Sequence, residues 1–182
     1  MILPGLDLPL GTIWCVGRNY AEHAAEMGAP SPESPVIFTK PASSALTLGG
    51  TLRLPPDSKR VDHEVELVVA RARDGSLRMA VGVDFTARDI QAELKKKGLP
   101  WTAAKGRPGF AAFGPFVPAK LPTELTLSVN GALRQRGSTA DMLFSVPRLM
   151  EHLDAVYALR PGDRVEASLA GGESRLSLAV AG

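Results

Sequence analysis

Residues 61–72, VDHEVELVVARA, constrain the fold more than any other stretch of this chain. Val61, His63, Val65 and Leu67 alternate with Asp62, Glu64 and Glu66. Side chains two apart share a face in a strand, whereas a helix would scatter these residues around its circumference. The run ends in apolar residues, Asp74-Gly75 supplies a turn, and LRMAVGVDFTA (77–87) follows as a second strand. The polar face of the first strand carries three acids in succession, so it poses a question of charge as well as of fold.

The rest of the chain is punctuated in the same style, with 18 glycines and 15 prolines set between short apolar runs. TIWCVG (12–17) and VIFTK (36–40) are expected as strands, the second stopped by Pro41. Between them NYAEHAAEM is expected as a short helix. Asn19 is its N-cap, Glu22 stands three residues on, and Gly28 can take the left-handed position after its last turn. GAPSPESP (28–35) and PASSALTLGG (41–50) are expected to be irregular. ARDIQAELKKKG (87–98) is expected as a helix closing at Gly98-Leu99-Pro100, with a solvated face at lysines 95–97. Asn130-Gly131 lies between alternating arms and marks a hairpin. SVPRLMEHLDAVY (145–157) is expected as a helix capped by Ser145, and the last residues as two strands around Gly171-Gly172. The pattern is α+β and strand-dominated, with few short helices. At 182 residues it fits one domain, 1–182.

Twenty-one basic against nineteen acidic side chains, dispersed along the chain, give no basic stripe to select nucleic acid or an anionic membrane. Cys15 is the sole cysteine, which excludes an intrachain disulfide and a cysteine-based zinc cluster. No run approaches the roughly 18 apolar residues of a membrane span. MILPGLDLPLGTIW lacks a basic n-region and reads as a mature start. The expected compartment is the reducing cytoplasm.

Glu64 and Glu66 share a strand face about 6.6 Å apart by the usual rise, so their flexible carboxylates can converge on one ion. With Asp62 beside them, unneutralised acids would repel one another, and a hard cation such as Mg²⁺, Mn²⁺ or Ca²⁺ would offset that cost. An exposed acidic strand face is the competing reading, and the alternation by itself leaves both open.

Six strings in order change the balance: CVGRNYAEH (15–23), SPVIFTKP (34–41), VDHEVEL (61–67), GVDFTARDIQ (82–91), PWTAAKG (100–106) and VNGALRQRGSTADMLF (129–144). Together they resemble the fumarylacetoacetate hydrolase family, particularly its short members: acylpyruvate hydrolases, oxaloacetate decarboxylases, and the hydratases and isomerases of aromatic catabolism. The resemblance spans roughly residues 12–165. It implies a mixed β-sandwich roll, a homodimer, and Mg²⁺ or Mn²⁺ held by Glu64, Glu66 and Asp84. It further implies that His23 and Glu26 activate water, that Lys105 is catalytic, and that Arg88 and Gln91 bind substrate. Independently of the family, the expected helix puts His23 and Glu26 on one face. A carboxylate-rich centre that admits an anionic 2-oxo acid also needs cationic donors, a task open to Arg18 as well. His63, His152 and Cys15 are read as structural.

The chain departs from the family pattern at three points. Only 18 positions separate Glu66 from Asp84, where the family carries a longer insertion. Pro108 stands where an Asp commonly follows the lysine motif, and PGDRV (161–165) runs into EASLAGGESR without the family's Gly-Thr-Pro loop. The implied activity is metal-dependent hydrolysis of a carbon–carbon bond in a 2-oxo or 2,4-dioxo acid. Isomerisation of 2-hydroxyhepta-2,4-diene-1,7-dioate, the related hydration, or oxaloacetate decarboxylation would use the same enolate chemistry. A non-catalytic metal-binding protein on the same fold is the alternative of another class.

Overall fold

The structure is a computed structural model that describes residues 1–6, 8–20, 32–46, 48–157, 164–168 and 175–179. The chain divides into two compact units, Met1–Leu143 and Phe144–Gly182.

The first unit is built around two long strands, β4 (Val61–Arg71) and β5 (Leu77–Ala87), which pair antiparallel over eleven residues each. The turn between them is closed by Ala72 N–H donating to Ser76 O at 2.8 Å, and Gly75 takes φ +81°. Asp74 secures it by accepting from Ser76 N and Oγ. Short strands β3 (Ala45–Leu46) and β6 (Ala111–Phe113) extend the sheet in the order β3-β6-β5-β4, and β7 (Val117–Pro118) pairs with the start of β5. β1 (Ile13–Gly17) and β2 (Val36–Lys40) form a separate antiparallel pair.

Gly82 allows β5 to be this tightly flanked. A Cβ there would lie 2.5 Å from Val68 Cγ2 and 3.1 Å from Ala112 O, so any side chain would force β4 or β6 away. Two small apolar clusters anchor the unit. Leu3, Ala80 and Phe116 pack at one end, and Ala87, Ala104 and Phe110, with Phe85, Ile90 and Leu94, pack at the other.

The expected hairpin forms as β8 (Glu124–Val129) and β9 (Ala132–Ser138). Asn130 and Gly131 have φ +52° and +79°, the left-handed pair that a two-residue turn between twisted strands requires. Its Gln135 carboxamide oxygen accepts from Val65 N at 2.9 Å and so satisfies a donor on the outer edge of β4. His63 Nδ1 is 3.4 Å from the same oxygen, in keeping with a structural role.

Helix α1 (Arg88–Lys96) begins directly where β5 ends. Asp89 in its first turn accepts from Ser58 Oγ and Lys59 N, Lys95 and Lys96 occupy its last turn, and Gly98 closes it at φ +64°. A second helix, α2 (Thr102–Lys105), was not expected from the sequence. Part of the 41–50 stretch, expected to be irregular, is ordered as a 3-10 turn at Ala42–Ser44 followed by β3.

In the second unit, helix α3 (Val146–Tyr157) follows Ser145, whose carbonyl accepts from Leu149 N. Strands β10 (Arg164–Ser168) and β11 (Arg175–Ala179) pair antiparallel, as the terminal sequence suggested. Among the described residues no helix is long and apolar enough to cross a membrane. The strand-dominated α+β class is as expected, and the helix expected from Asn19 lies outside the described residues beyond Tyr20.

Candidate active site

Pairing of β4 with β5 sets Asp62 opposite Thr86, Glu64 opposite Asp84 and Glu66 opposite Gly82. Residues directly opposite in an antiparallel pair point to the same side, so Asp62, Glu64, Glu66 and Asp84 occupy one face. The three carboxylates proposed as ligands are thus gathered by register alone, two on one strand and the third on its neighbour.

Lysines and one arginine meet them. Lys105, at the end of α2, places Nζ 2.7 Å from Glu64 Oε2 and 2.6 Å from Asp84 Oδ2. Arg88, the first residue of α1, donates to Glu64 Oε1, to Asp62 Oδ2 at 2.8 Å and to Gln91 Oε1 at 2.8 Å. Gln91 is buried, and Thr86 Oγ1 lies 3.4 Å from Glu64 Oε1. The structure therefore brings together Glu64, Glu66, Asp84, Arg88, Gln91 and Lys105. Arg18 follows β1 with φ 60° and acts electrostatically on Lys95. His23 and Glu26 lie outside the described residues.

One residue of this centre escaped the sequence reading. Lys40, the last residue of β2, is 1% exposed and sets Nζ 2.8 Å from Asp84 Oδ1. The same ammonium donates to the carbonyls of Phe85, Lys105 and Phe110. Three carbonyls exhaust its three N–H groups, so it holds Asp84 Oδ1 by charge, and that oxygen is buried without a directed hydrogen bond. The available signal was a charged residue closing an otherwise apolar strand, since a buried lysine needs an acid to face.

Charge balance follows from these contacts. Burial pushes the Glu64 carboxyl up, but Lys105 and Arg88 outweigh it and hold the group below the usual range. Burial pulls Lys105 down, and Asp84 and Glu64 more than restore it, so its ammonium keeps its proton at neutral pH. Glu66 has no such help: burial, then Asp84 and Glu64, push it up to about 8. Burial pushes Cys15 up to about 12, which agrees with its reading as inert.

Among the described residues no group of three or more His, Cys, Asp or Glu closes around a point that a metal ion could take. The Lys105 ammonium stands between Glu64 and Asp84 instead. The donor chemistry nonetheless fits a hard divalent cation. All donors are carboxylate oxygens, one of them lacks a directed hydrogen bond, and Glu66 is driven to hold a proton by charges a cation would neutralise.

The lysine run differs from a uniform solvated face. Lys96 pairs with Glu93, while Lys95 sets its ammonium 5.2 Å from the ring centroid of Trp101.

Comparison with known proteins places this arrangement among relatives. Residues 12–165 match the model of the fumarylacetoacetate (FAA) hydrolase C-terminal family. The chain is 44% identical over 167 residues to the mitochondrial oxaloacetate tautomerase FAHD1 of Arabidopsis thaliana, covering 83% of this chain and 75% of that one. It is 39% identical over 177 residues to the oxaloacetate tautomerase YcgM of Escherichia coli, covering 88% and 81%. The crystal structure of fumarylpyruvate hydrolase from Pseudomonas aeruginosa, in complex with Mn²⁺ and pyruvate, superposes with a TM-score of 0.74 at 30% identity, covering 98% of this chain and 94% of that one.

Proposed function

The chain belongs to the fumarylacetoacetate hydrolase family, a family of enzymes, and on that premise we propose that it hydrolyses a carbon–carbon bond of a 2,4-dioxo acid with the help of a divalent cation. The observation that carries this reading is the Lys105 ammonium held between Glu64 and Asp84, a fixed cationic donor where enolate charge would develop. A divalent cation held by Glu64, Glu66 and Asp84, Mg²⁺ or Mn²⁺, would supply Lewis-acid stabilisation of that charge. The Mn²⁺ in the Pseudomonas relative supports the choice of a hard cation.

The chain's own residues divide the remaining work. Lys105 is protonated at neutral pH and therefore acts as a donor, not as a base. Lys40 fixes both Asp84 and the backbone carbonyl of Lys105, which limits how far that donor can drift. Arg88, braced by Asp62 and Glu64 and joined to Gln91, is positioned to bind the carboxylate beside the 2-oxo group, with Arg18 in support.

Water activation is assigned to His23 oriented by Glu26, on the strength of the sequence motif and their one-turn spacing. Water adds to the C4 carbonyl, the C3–C4 bond breaks, and its electron pair becomes the enolate of pyruvate. That enolate takes a proton at C3, leaving pyruvate and a carboxylic acid.

A second reading, tautomerisation of oxaloacetate, is favoured by the names of the relatives at 44% and 39% identity. It uses the same enolate and omits the water. The two are separated by incubating the Mn²⁺-loaded protein with acetylpyruvate and, in parallel, with enol-oxaloacetate. Pyruvate release from the first supports hydrolysis, and accelerated loss of enol absorbance with no pyruvate release supports tautomerisation. No metal-dependent turnover of either would leave the non-catalytic reading.

The family match crosses the boundary between the two compact units, which supports residues 1–182 as one catalytic domain. The exposed Val81 on β5 and Val117 on β7 give a homodimer contact apolar surface to bury. The single cysteine suits the cytoplasm, although the Arabidopsis relative is mitochondrial.

A further inference from the structure

Helix α1 carries Arg88, Gln91 and Lys95 at positions i, i+3 and i+7, a single helix face. The first two belong to the centre described above. Lys95 stands about 10 Å further along the axis, by the usual helical rise. Its ammonium meets the Trp101 ring, and it lies in a field of like charge. Burial lowers its pKa, and Arg88, Arg18 and Lys105 lower it further, against the single opposing influence of Glu64. An anion arriving there would relieve repulsion among four cationic groups.

Space for such an anion adjoins the same ring. Trp101 and Phe38 pack with centroids 5.5 Å apart and, with Val36, Pro100 and Thr102, line a half-open cleft of about 310 Å³. That volume suits a small organic acid. Phe38 is also the ring nearest the catalytic lysine, its centroid 5.2 Å from Lys105 Nζ. A continuous path therefore runs from Lys105 across Phe38 and Trp101 to Lys95, apolar and aromatic along its length and cationic at both ends.

We propose that this cleft is the subsite for the far end of the substrate and that Lys95, set over Trp101, binds a second carboxylate there. The substrate class is an extended 2,4-dioxo acid with a carboxylate at each end, and the proposal rests on the 2-oxo acid reading of the Glu64–Lys105 centre. The Phe38 and Trp101 rings receive the unsaturated chain between the carboxylates, and Lys95 selects against acids that end in a methyl group.

The test compares fumarylpyruvate with acetylpyruvate on the Mn²⁺-loaded wild type, Lys95→Met and, as a neighbour on the same helix, Lys96→Met. Lys95→Met is expected to lower the ratio of the two kcat/KM values about tenfold, mostly through KM for the dicarboxylate, as loss of one charge-assisted contact should. Lys96→Met is expected to leave the ratio within twofold. An unchanged ratio in Lys95→Met overturns the subsite.

A binding measurement removes the dependence on turnover. Only two tryptophans exist, so a Trp14→Phe background leaves Trp101 as the sole emitter. Titration with adipate, which cannot react, is expected to change its emission with Lys95 present and to require at least tenfold more adipate in Lys95→Met, whereas hexanoate has little effect in either. Lys95-dependent adipate binding without turnover of any 2-oxo acid upholds the subsite and sinks the enzymatic reading. Turnover with adipate binding indifferent to Lys95 does the reverse.

Discussion

Lys40 Nζ lies 2.8 Å from Asp84 Oδ1 at a position where Lys40 is 1% exposed, so the acid proposed as a metal ligand on β5 is held in place by an ammonium from β2. The same ammonium serves three backbone carbonyls. Replacing it by methionine would leave a buried carboxylate facing apolar atoms and strand those carbonyls. Lys40→Met is expected to cost about 3–5 kcal/mol, the range for breaking a buried pair from one side. Lys40→Arg is expected to recover only part of this, because a guanidinium overfills a site with no spare exposure. Denaturant unfolding of the three proteins checks both statements, and equal midpoints for wild type and Lys40→Met would refute them.

Cys15 faces the same charges from β1. Burial, and then the Asp84 carboxylate, push its thiol up to about 12, so the thiolate is scarce at any pH below that value. Iodoacetamide at pH 8 is expected to modify the folded protein at least tenfold more slowly than the urea-unfolded chain, with the rate rising steadily toward alkaline pH. Fast modification of the folded protein would mean that Cys15 is a reactive thiol.

The sequence makes some of this site plain and conceals the rest for identifiable reasons. Alternation exposed the shared face of Glu64 and Glu66, because strand period is a local property. Asp84 joined them only through resemblance, yet the signal was present. A turn closed between Ala72 and Ser76 mirrors every residue of β4 onto β5, and that mirror sets Glu64 opposite Asp84. Lys40 was concealed because its role depends on contacts 45 to 70 residues away in the chain. Helix α2 was concealed because four residues between Pro100 and Gly106, with no side-chain cap, carry no periodic pattern. Lys95 was read with its neighbours as solvated, since nothing local distinguishes it from Lys96. The difference is the ring of Trp101.

Lys105 is expected to oppose metal binding and to promote turnover. Its ammonium occupies the space between Glu64 and Asp84, so a cation must displace it from at least one carboxylate. Lys105→Met removes that competitor and is expected to tighten Mn²⁺ binding on the order of tenfold, the worth of one partly buried ion pair. The same variant loses the donor that faces the enolate, and kcat is expected to fall about 100-fold or more. Calorimetric Mn²⁺ titration and acetylpyruvate turnover measure the two effects separately. Weaker Mn²⁺ binding in Lys105→Met would show that the lysine supports the metal site.

Glu66 provides the link to pH. Burial and its acidic neighbours push its folded-state pKa from the ordinary 4.5 to about 8, so between those values the folded protein holds a proton that the unfolded chain has released. The unfolded state then binds fewer protons, and stability falls as pH rises through this window. It is highest below about 4.5 as far as this group is concerned and is lost once Glu66 ionises above 8. Glu66→Gln cannot ionise and is expected to flatten that part of the profile in metal-free denaturation at pH 5, 6.5 and 8. A metal ligand must shed the proton, so Mn²⁺ binding at pH 6.5 is expected to release close to one proton, visible as a dependence of the binding heat on the ionisation enthalpy of the buffer, and far less at pH 9. The same heats at both pH values in every buffer would exclude Glu66 from the ligand set, since a carboxyl that stays protonated beside the ion cannot be holding it.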